Sequence, residues 1–351
     1  MRPGRVLLVF TLAVFVGGAF LAPWLYWLVQ WGANHSSMFQ SLAQNPFHRF
    51  VNRALLVLAL AGLWPLTRAL GMRSWKALGW VRIPRHVDTH RDQEPTGGAS
   101  APASRSATWP RLVGTLAPPT RFRGTPGGPG SRIASGFGLG FVSLALLAAI
   151  AVLSGAWRIH TDLTASRLFG KLGGAALSAV VVAILEETFF RGAVMGALRR
   201  AHSVGVALVL SSAIYAMLHF FQRPDSPMKV EWFTGLQLLP QMMRGFVDGR
   251  ALVPGFFNLT LAGIILGLAY QHTGNLYFSM GLHGGWVFWL KFCSAVAGAA
   301  PGVNIWYWGS PGRLIDGWLA LGVLAGVLLI LMRLLKMEGT PHDAARVPDP
   351  A

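Results

Sequence analysis

GAALSAVVVAILEETFFRGAVMGAL, residues 174–198, decides the fold of this chain. A stretch of about 20 predominantly apolar residues, rising 1.5 Å per residue as a helix, is enough to cross a bilayer. Inside it stand Glu186, Glu187 and Arg191. Each ionisable side chain at the centre of a membrane helix costs roughly 2.5–3.5 kcal/mol on insertion scales, so this group of three needs partners or a purpose. Spacing separates their roles. Glu187 and Arg191 stand at i and i+4 with the carboxylate N-terminal to the cation, the favourable order for a helical ion pair. Glu186 is turned about 100° away from Glu187, off the arginine's face. The register predicts one structural carboxylate, Glu187, and one free to work, Glu186.

The rest of the chain reads as a membrane protein. Of 351 residues, 53% are hydrophobic and 12% charged, a balance that excludes an ordinary soluble domain. The formal charge of +17 does not point to nucleic acid, because Arg and Lys lie mainly between apolar runs, where they orient helices and meet anionic lipid headgroups. The single Cys293 excludes an intramolecular disulfide and a cysteine-based metal cluster.

Apolar runs recur at Val6 to Trp27, Ala54 to Leu70, Gly136 to Trp157, Gly174 to Leu198, Val204 to Phe221, Phe256 to Tyr270, Leu276 to Phe292 and Ile315 to Leu335. The expected fold is therefore all-α, a polytopic membrane helix bundle of about eight transmembrane helices. The first run follows Arg2 and Arg5 but is too long for a signal-peptide core and lacks a small-x-small cleavage site, so it reads as an uncleaved anchor. Four regions are expected: an N-terminal helix pair over residues 1–72, a basic Pro/Gly/Arg-rich loop over 73–134, a membrane-embedded core over 135–335 and a polar tail over 336–351. The middle of the loop, from Asp88 to Gly130, cannot bury enough apolar surface to fold alone and is expected to be mostly disordered. The positive-inside rule places the N-terminus, this loop, Arg199-Arg200 and the tail with Arg333 and Lys336 in the cytoplasm, as in a bacterial plasma membrane protein. Gln222 to Pro254 then faces outward, along the interface.

Of thirteen acidic residues, only Glu186 and Glu187 fall well inside a span, and of ten histidines only His219 and His283 do. Measured from the same side of the membrane, Glu186 lies about 18 Å from Leu198, His219 about 22 Å from Val204 and His283 about 12 Å from Asn275. These depths overlap, so three helices can bring the four residues to one site, where Glu186 with His219 is able to activate a water. Against this stands the plainer reading, in which a Glu–Arg pair only holds helices together and each histidine is a satisfied hydrogen-bonding group. The second glutamate argues for function, because a structural pair needs one carboxylate.

These residues resemble the CPBP family of intramembrane proteases, which includes the type II CAAX prenyl endopeptidases and bacterial homologues. The motif Glu-Glu-x-x-x-Arg is matched by Glu186-Glu187-Thr188-Phe189-Phe190-Arg191, followed by Gly192. Phe-x-x-x-His is represented by Tyr215 to His219, with Tyr for Phe. His-x-x-x-Asn, after a helix start at Thr273-Gly274-Asn275-Leu276, is represented by His283 to Val287, with Val for Asn. The resemblance covers about Gly174 to Leu290. It implies that Glu186 and His219 activate the attacking water, that Glu187 and Arg191 support the glutamate, and that His283 helps bind the oxyanion. Val287 cannot donate a hydrogen bond, and losing one oxyanion donor typically costs about 10² to 10³ in rate. Either another donor serves, Trp286 among the candidates, or activity is reduced, or the chain belongs to a branch with a modified site.

The expected function is an intramembrane endopeptidase that cleaves a membrane-associated protein or peptide with a glutamate/histidine-activated water and no cofactor. Two rivals use the same residues. A divalent metal such as zinc could be held by Glu186, His219 and His283, with Glu187 as a further oxygen donor. An ion- or proton-coupled transporter, or an inactive scaffold, would also place Glu, Arg and His at membrane depth. Glycines 281, 284 and 285 allow a backbone or substrate to approach His283, or serve tight helix packing.

Overall fold

The computed structural model describes residues 3–80, 128–161, 163–310 and 312–339. The chain runs through α1 (Pro3–Ala33), α2 (Ser37–Ala43), α3 (Phe47–Ala69) and a 3₁₀ turn at Trp75–Leu78, then α4 (Pro129–Leu153) and the strand β1 (Trp157–Ile159). Next, α5 (Ala165–Glu187) passes without a break through a π-helical segment, Thr188–Met195, into α6 (Gly196–Leu198). There follow α7 (Val204–Leu218), α8 (Thr234–Met242), α9 (Gly249–Thr273), α10 (Tyr277–Val296), the strand β2 (Ala297–Ala299), α11 (Ile305–Trp308) and α12 (Trp318–Gly339). The two short strands pair antiparallel, Trp157 opposite Ala299. The protein is an all-α polytopic bundle.

Each of the eight apolar runs falls mainly on a helix, although the runs Gly136 to Trp157 and Val204 to Phe221 outlast theirs, which end at Leu153 and Leu218. Among the described residues, five helices are long and apolar enough to cross a membrane: Pro3–Ala33, Phe47–Ala69, Pro129–Leu153, Ala165–Leu198 and Gly249–Thr273. Val204–Leu218 and Trp318–Leu334 are apolar but shorter. α10 falls outside both groups because His283, Lys291 and its glycines dilute its apolar character. Burial explains how it can, since every residue from Ser279 to Val287 is buried against protein, and a helix shielded from lipid need not match lipid's polarity.

The polar stretches differ from the sequence reading in three places. Arg73 to Trp80 is not free loop, for Leu78 is buried with Leu66, Leu70, Ala193 and Ala197, and the Leu276 amide donates to the Gly79 carbonyl. At the other end of that loop, Pro129 to Arg132 already forms the first turn of α4; residues 88–127, where disorder is expected, lie outside the described residues, as does the tail from residue 340 onward. The segment Gln222 to Pro254 holds α8, whose Leu238 and Met242 are buried with Ala22, Phe47 and Phe50, and its last residues open α9, which starts at Gly249 under an Asp248 side-chain cap (Arg250 N–H to Oδ1, 3.2 Å) rather than at Phe256.

α10 sits at the centre, packed on α4, α5 and α9. Its contact with α4 is made by two facing glycine pairs, Gly136 and Gly140 on α4, Gly281 and Gly285 on α10. A Cβ on Gly136 would strike the Phe278 carbonyl, on Gly140 the Leu282 carbonyl, on Gly281 the Ile133 carbonyl, and on Gly285 the Phe137 carbonyl at 2.6 Å. Small-xxx-small pairs let backbones approach this closely where lipid supplies no hydrophobic drive for helix association. Gly281 and Gly285 thus serve packing, whereas a Cβ on Gly284 would meet nothing nearer than 3.8 Å. The opposite wall is as close: Gly263 of α9 abuts Ser212 of α7, where a Cβ would lie 2.8 Å from the serine Cβ. The result is a tight frame in which the end of α5, the end of α7 and the middle of α10 face one another.

Candidate active site

The two glutamates end α5, and the helix widens into π geometry at the next residue. Such π segments are rare and recur at functional sites, because the extra residue per turn redirects side chains. The widened turn is braced from outside. Thr188 donates to the Ile184 carbonyl (2.7 Å) and accepts from the Trp80 indole (3.3 Å), and Gly192 admits the Leu78 carbonyl, from which a Cβ would be only 2.7 Å away.

Within this frame Glu187 is fully buried, and its Oε1 takes two partners. Arg191 Nη1 lies 3.0 Å away and His283 Nδ1 2.8 Å away. Arg191 also donates through Nη2 to the Gly263 carbonyl (3.2 Å) and lays its guanidinium over the Tyr215 ring, 4.9 Å from the centroid. The ion pair read from the i, i+4 register is therefore formed, and it ties α5 to α9 and α10. It also does something the register did not reveal. A carboxylate can only accept, so Nδ1 of His283 carries its proton toward Glu187, and in the neutral ring Nε2 is left with a lone pair.

Glu186 behaves differently. Its side chain is 29% exposed, and its Oε2 is buried with no hydrogen-bond partner; Oε2 of Glu187 is likewise unpartnered, so the two residues differ in exposure and in the close partners at Glu187 Oε1. Glu186 Oε2 lies 4.0 Å from His219 Nε2 and 3.8 Å from His283 Nε2. His219 is the C-cap of α7, just beyond its last helical residue, Leu218, rather than inside a helix running to Phe221. Its Nδ1 donates to the Tyr215 carbonyl (2.8 Å), which again leaves Nε2 as the lone-pair nitrogen in the neutral ring. His219 is 33% exposed on its side chain, so Glu186 and His219 form the open edge of the cluster while Glu187, Arg191 and His283 form its buried floor. Separations near 4 Å exceed a direct hydrogen bond and suit two groups that share one water.

Three further residues and a cleft complete the picture. Tyr215, 4% exposed, directs its hydroxyl to His283 Nε2 at 3.5 Å and is held edge-on by Phe190, 5.1 Å between ring centroids. Its position four residues before His219 was the available signal for a place in the site. Val287 is buried one helical turn beyond His283 and offers no polar atom. Trp286 turns its indole N–H to Ser143 of α4 at 3.0 Å and not to the glutamates. An apolar cleft is lined by Phe10, Phe15, Leu55, Phe189 and Leu218, with Arg223 among its lining residues. Phe189 and Leu218 are sequence neighbours of the motif residues.

A metal would have to sit among Glu186 Oε2 and the two Nε2 atoms. Tetrahedral zinc ligands at about 2.0–2.1 Å from the metal stand about 3.3 Å from one another, closer than the 3.8 and 4.0 Å observed. Among the described residues no group of three or more His, Cys, Asp or Glu side chains is arranged to hold a metal ion.

No curated protein and no solved structure matches the chain. Residues 168–289 match the family model of the type II CAAX prenyl endopeptidases, Rce1-like. That match spans about a third of the chain and contains every glutamate, histidine and arginine of the cluster and most of the helices that carry them, and it supports a kinship of this region with the CPBP family of CAAX-type membrane proteases.

Proposed function

We propose that the protein is an intramembrane endopeptidase in which Glu186 and His219 activate the attacking water. The observation that carries this reading is the contrast between the two glutamates. Glu187 is fully buried, its Oε1 held by Arg191 at 3.0 Å and His283 at 2.8 Å, while Glu186 is 29% exposed and faces two imidazole nitrogens at 3.8 and 4.0 Å with no closer partner.

In this reading a water lies between Glu186 Oε2 and His219 Nε2. Glu186 takes its proton as the water oxygen adds to the peptide carbonyl, and the departing amine receives a proton from the same carboxyl, so no proton is left over. His219 orients the water, its ring fixed by the Tyr215 carbonyl. Glu187 and Arg191 hold His283 on the far side of the carboxylate, where the carbonyl oxygen of the substrate would come to rest. The substrate is a membrane-associated protein or peptide, a prenylated CAAX chain being the class the family description names. The apolar cleft beside Phe189 and Leu218 supports entry of an apolar chain from the membrane. Catalysis without metal is favoured over a zinc site by the spacing of the three candidate ligands. The termini and the basic loop are assigned to the cytoplasm, where anionic lipid meets the loop.

The test compares membranes containing the unaltered protein with membranes containing Glu186→Gln, using mass spectrometry of peptide termini. New termini in the first and none in the second are expected. Identical termini in both overturn the assignment.

A further inference from the structure

A peptide carbonyl attacked by water develops negative charge on its oxygen, and a low-dielectric site must supply hydrogen-bond donors for it. The floor of this site lacks an obvious one. With Nδ1–H committed to Glu187, neutral His283 presents a lone pair, not a proton, at Nε2. Val287, one turn along the same helix, has nothing to give. The Trp286 indole is taken by Ser143, and Arg191 donates through Nη2 to the Gly263 carbonyl while its Nη1, which makes no hydrogen bond, is ion-paired with Glu187 Oε1 at 3.0 Å. What does stand there is the Tyr215 hydroxyl, 3.5 Å from His283 Nε2.

We infer that Tyr215 is a further catalytic residue, whose phenolic O–H stabilises the oxyanion in place of a donor at position 287. The inference rests on the protease reading above and sharpens one part of it. Glu187, His283 and Tyr215 form a chain of directed hydrogen bonds. The carboxylate fixes the proton on His283 Nδ1, which makes Nε2 an acceptor, which in turn points the phenol proton into the site. Nε2 is also 3.8 Å from Glu186 Oε2, so the phenol proton is delivered beside the water-activating carboxylate. The contact at rest is long for an O–H donor, whose usual distance is 2.5–3.0 Å. The hydroxyl therefore gives up little when an incoming carbonyl oxygen takes it over. No proton changes hands; the hydroxyl exchanges one acceptor, a nitrogen, for a better one, a developing alkoxide. The ring cannot drift, since Phe190 meets it edge-on, the Arg191 guanidinium covers one face and the His219 ring stands 4.5 Å from it, centroid to centroid. The two departures from the family motifs, Tyr for Phe at 215 and Val for Asn at 287, are then one exchange: the donor has moved from α10 to α7.

The experiment uses full-length protein in proteoliposomes and a quenched fluorescent farnesylated CAAX peptide, with Glu186→Gln as the inactive reference. Tyr215→Phe keeps the ring and its three neighbours, so the fold is retained. Its kcat is expected to fall about 10²- to 10³-fold, the usual loss for one oxyanion donor, with KM within about threefold. Adding Val287→Asn to Tyr215→Phe is expected to recover at least tenfold, and Val287→Asn alone to change kcat less than threefold. Recovery by an amide on another helix does not follow from a packing role for the phenol. A Tyr215→Phe kcat within threefold of the unaltered protein, or no recovery in the double variant, overturns the inference while leaving the Glu186 assignment intact. Cleavage by Glu186→Gln at the unaltered rate, or none by the unaltered protein, overturns both.

Discussion

Removing Glu187 should cost far more stability than removing Glu186, although they are adjacent. Glu187 is fully buried, and Oε1 faces Arg191 at 3.0 Å and His283 at 2.8 Å. In Glu187→Ala the guanidinium, 3% exposed, keeps only the Gly263 carbonyl at 3.2 Å and the Tyr215 ring at 4.9 Å. Breaking a buried pair by deleting one partner costs about 3–5 kcal/mol, and the ring contact, present before and after the change, does not alter that. Arg191→Met strands Glu187 with His283 alone and should cost a similar amount. The double variant strands neither charge, so its loss should fall short of the sum by about 2 kcal/mol, within the range of couplings seen for contacting residues. Glu186→Gln removes a carboxylate that has no hydrogen-bond partner and should leave stability equal or higher. The assay is reversible unfolding in mixed micelles for all four variants. A double variant as unstable as the sum of the singles, or a Glu186→Gln variant as damaged as Glu187→Ala, refutes the division of labour between the glutamates.

Two further outcomes follow from the frame and the chemistry. Gly140→Val or Gly285→Val should destabilise the fold by about 1–3 kcal/mol or more through overpacking against the facing carbonyls, while Gly284→Ala, with 3.8 Å of clearance, should cost less than 1 kcal/mol; melting of the purified variants checks the order, and equal losses would remove the glycine-pair account. Prolonged treatment with a strong chelator should leave cleavage within about twofold, with less than one metal per chain by elemental analysis; loss of activity restored by zinc would favour the metal-bound alternative.

The helical frame was legible because apolar runs of membrane length have few other structures open to them, and each of the eight falls mainly on a helix. The pairing of Glu187 with Arg191 was legible from register alone. What register could not supply was the third partner, His283, because a contact between α5 and α10 depends on how closely helices pack. That closeness comes from Gly136, Gly140, Gly281 and Gly285, whose sequence signal fitted substrate access as well as packing. The π segment was hidden for a related reason: Thr188 to Met195 has the composition of an ordinary apolar helix, and the widening is braced by Trp80 and Leu78, from a stretch whose Arg, Pro and Gly content reads as loop. His219 lies just past the end of its helix, where its apolar surroundings suggest a helix interior. Val287 and Tyr215 stood out as separate departures from the motifs; only the 3.5 Å approach of the phenol to His283 relates them.

The central claim is that Glu186, and not its neighbour, performs the chemistry. Single-turnover cleavage of the farnesylated CAAX peptide by Glu186→Gln in proteoliposomes, beside the double variant Glu187→Ala/Arg191→Met, tests it most directly. The account predicts no detectable product from Glu186→Gln, despite full stability, and measurable though slowed cleavage from the double variant, whose Glu186 and His219 remain. Cleavage by Glu186→Gln at the unaltered rate would contradict it.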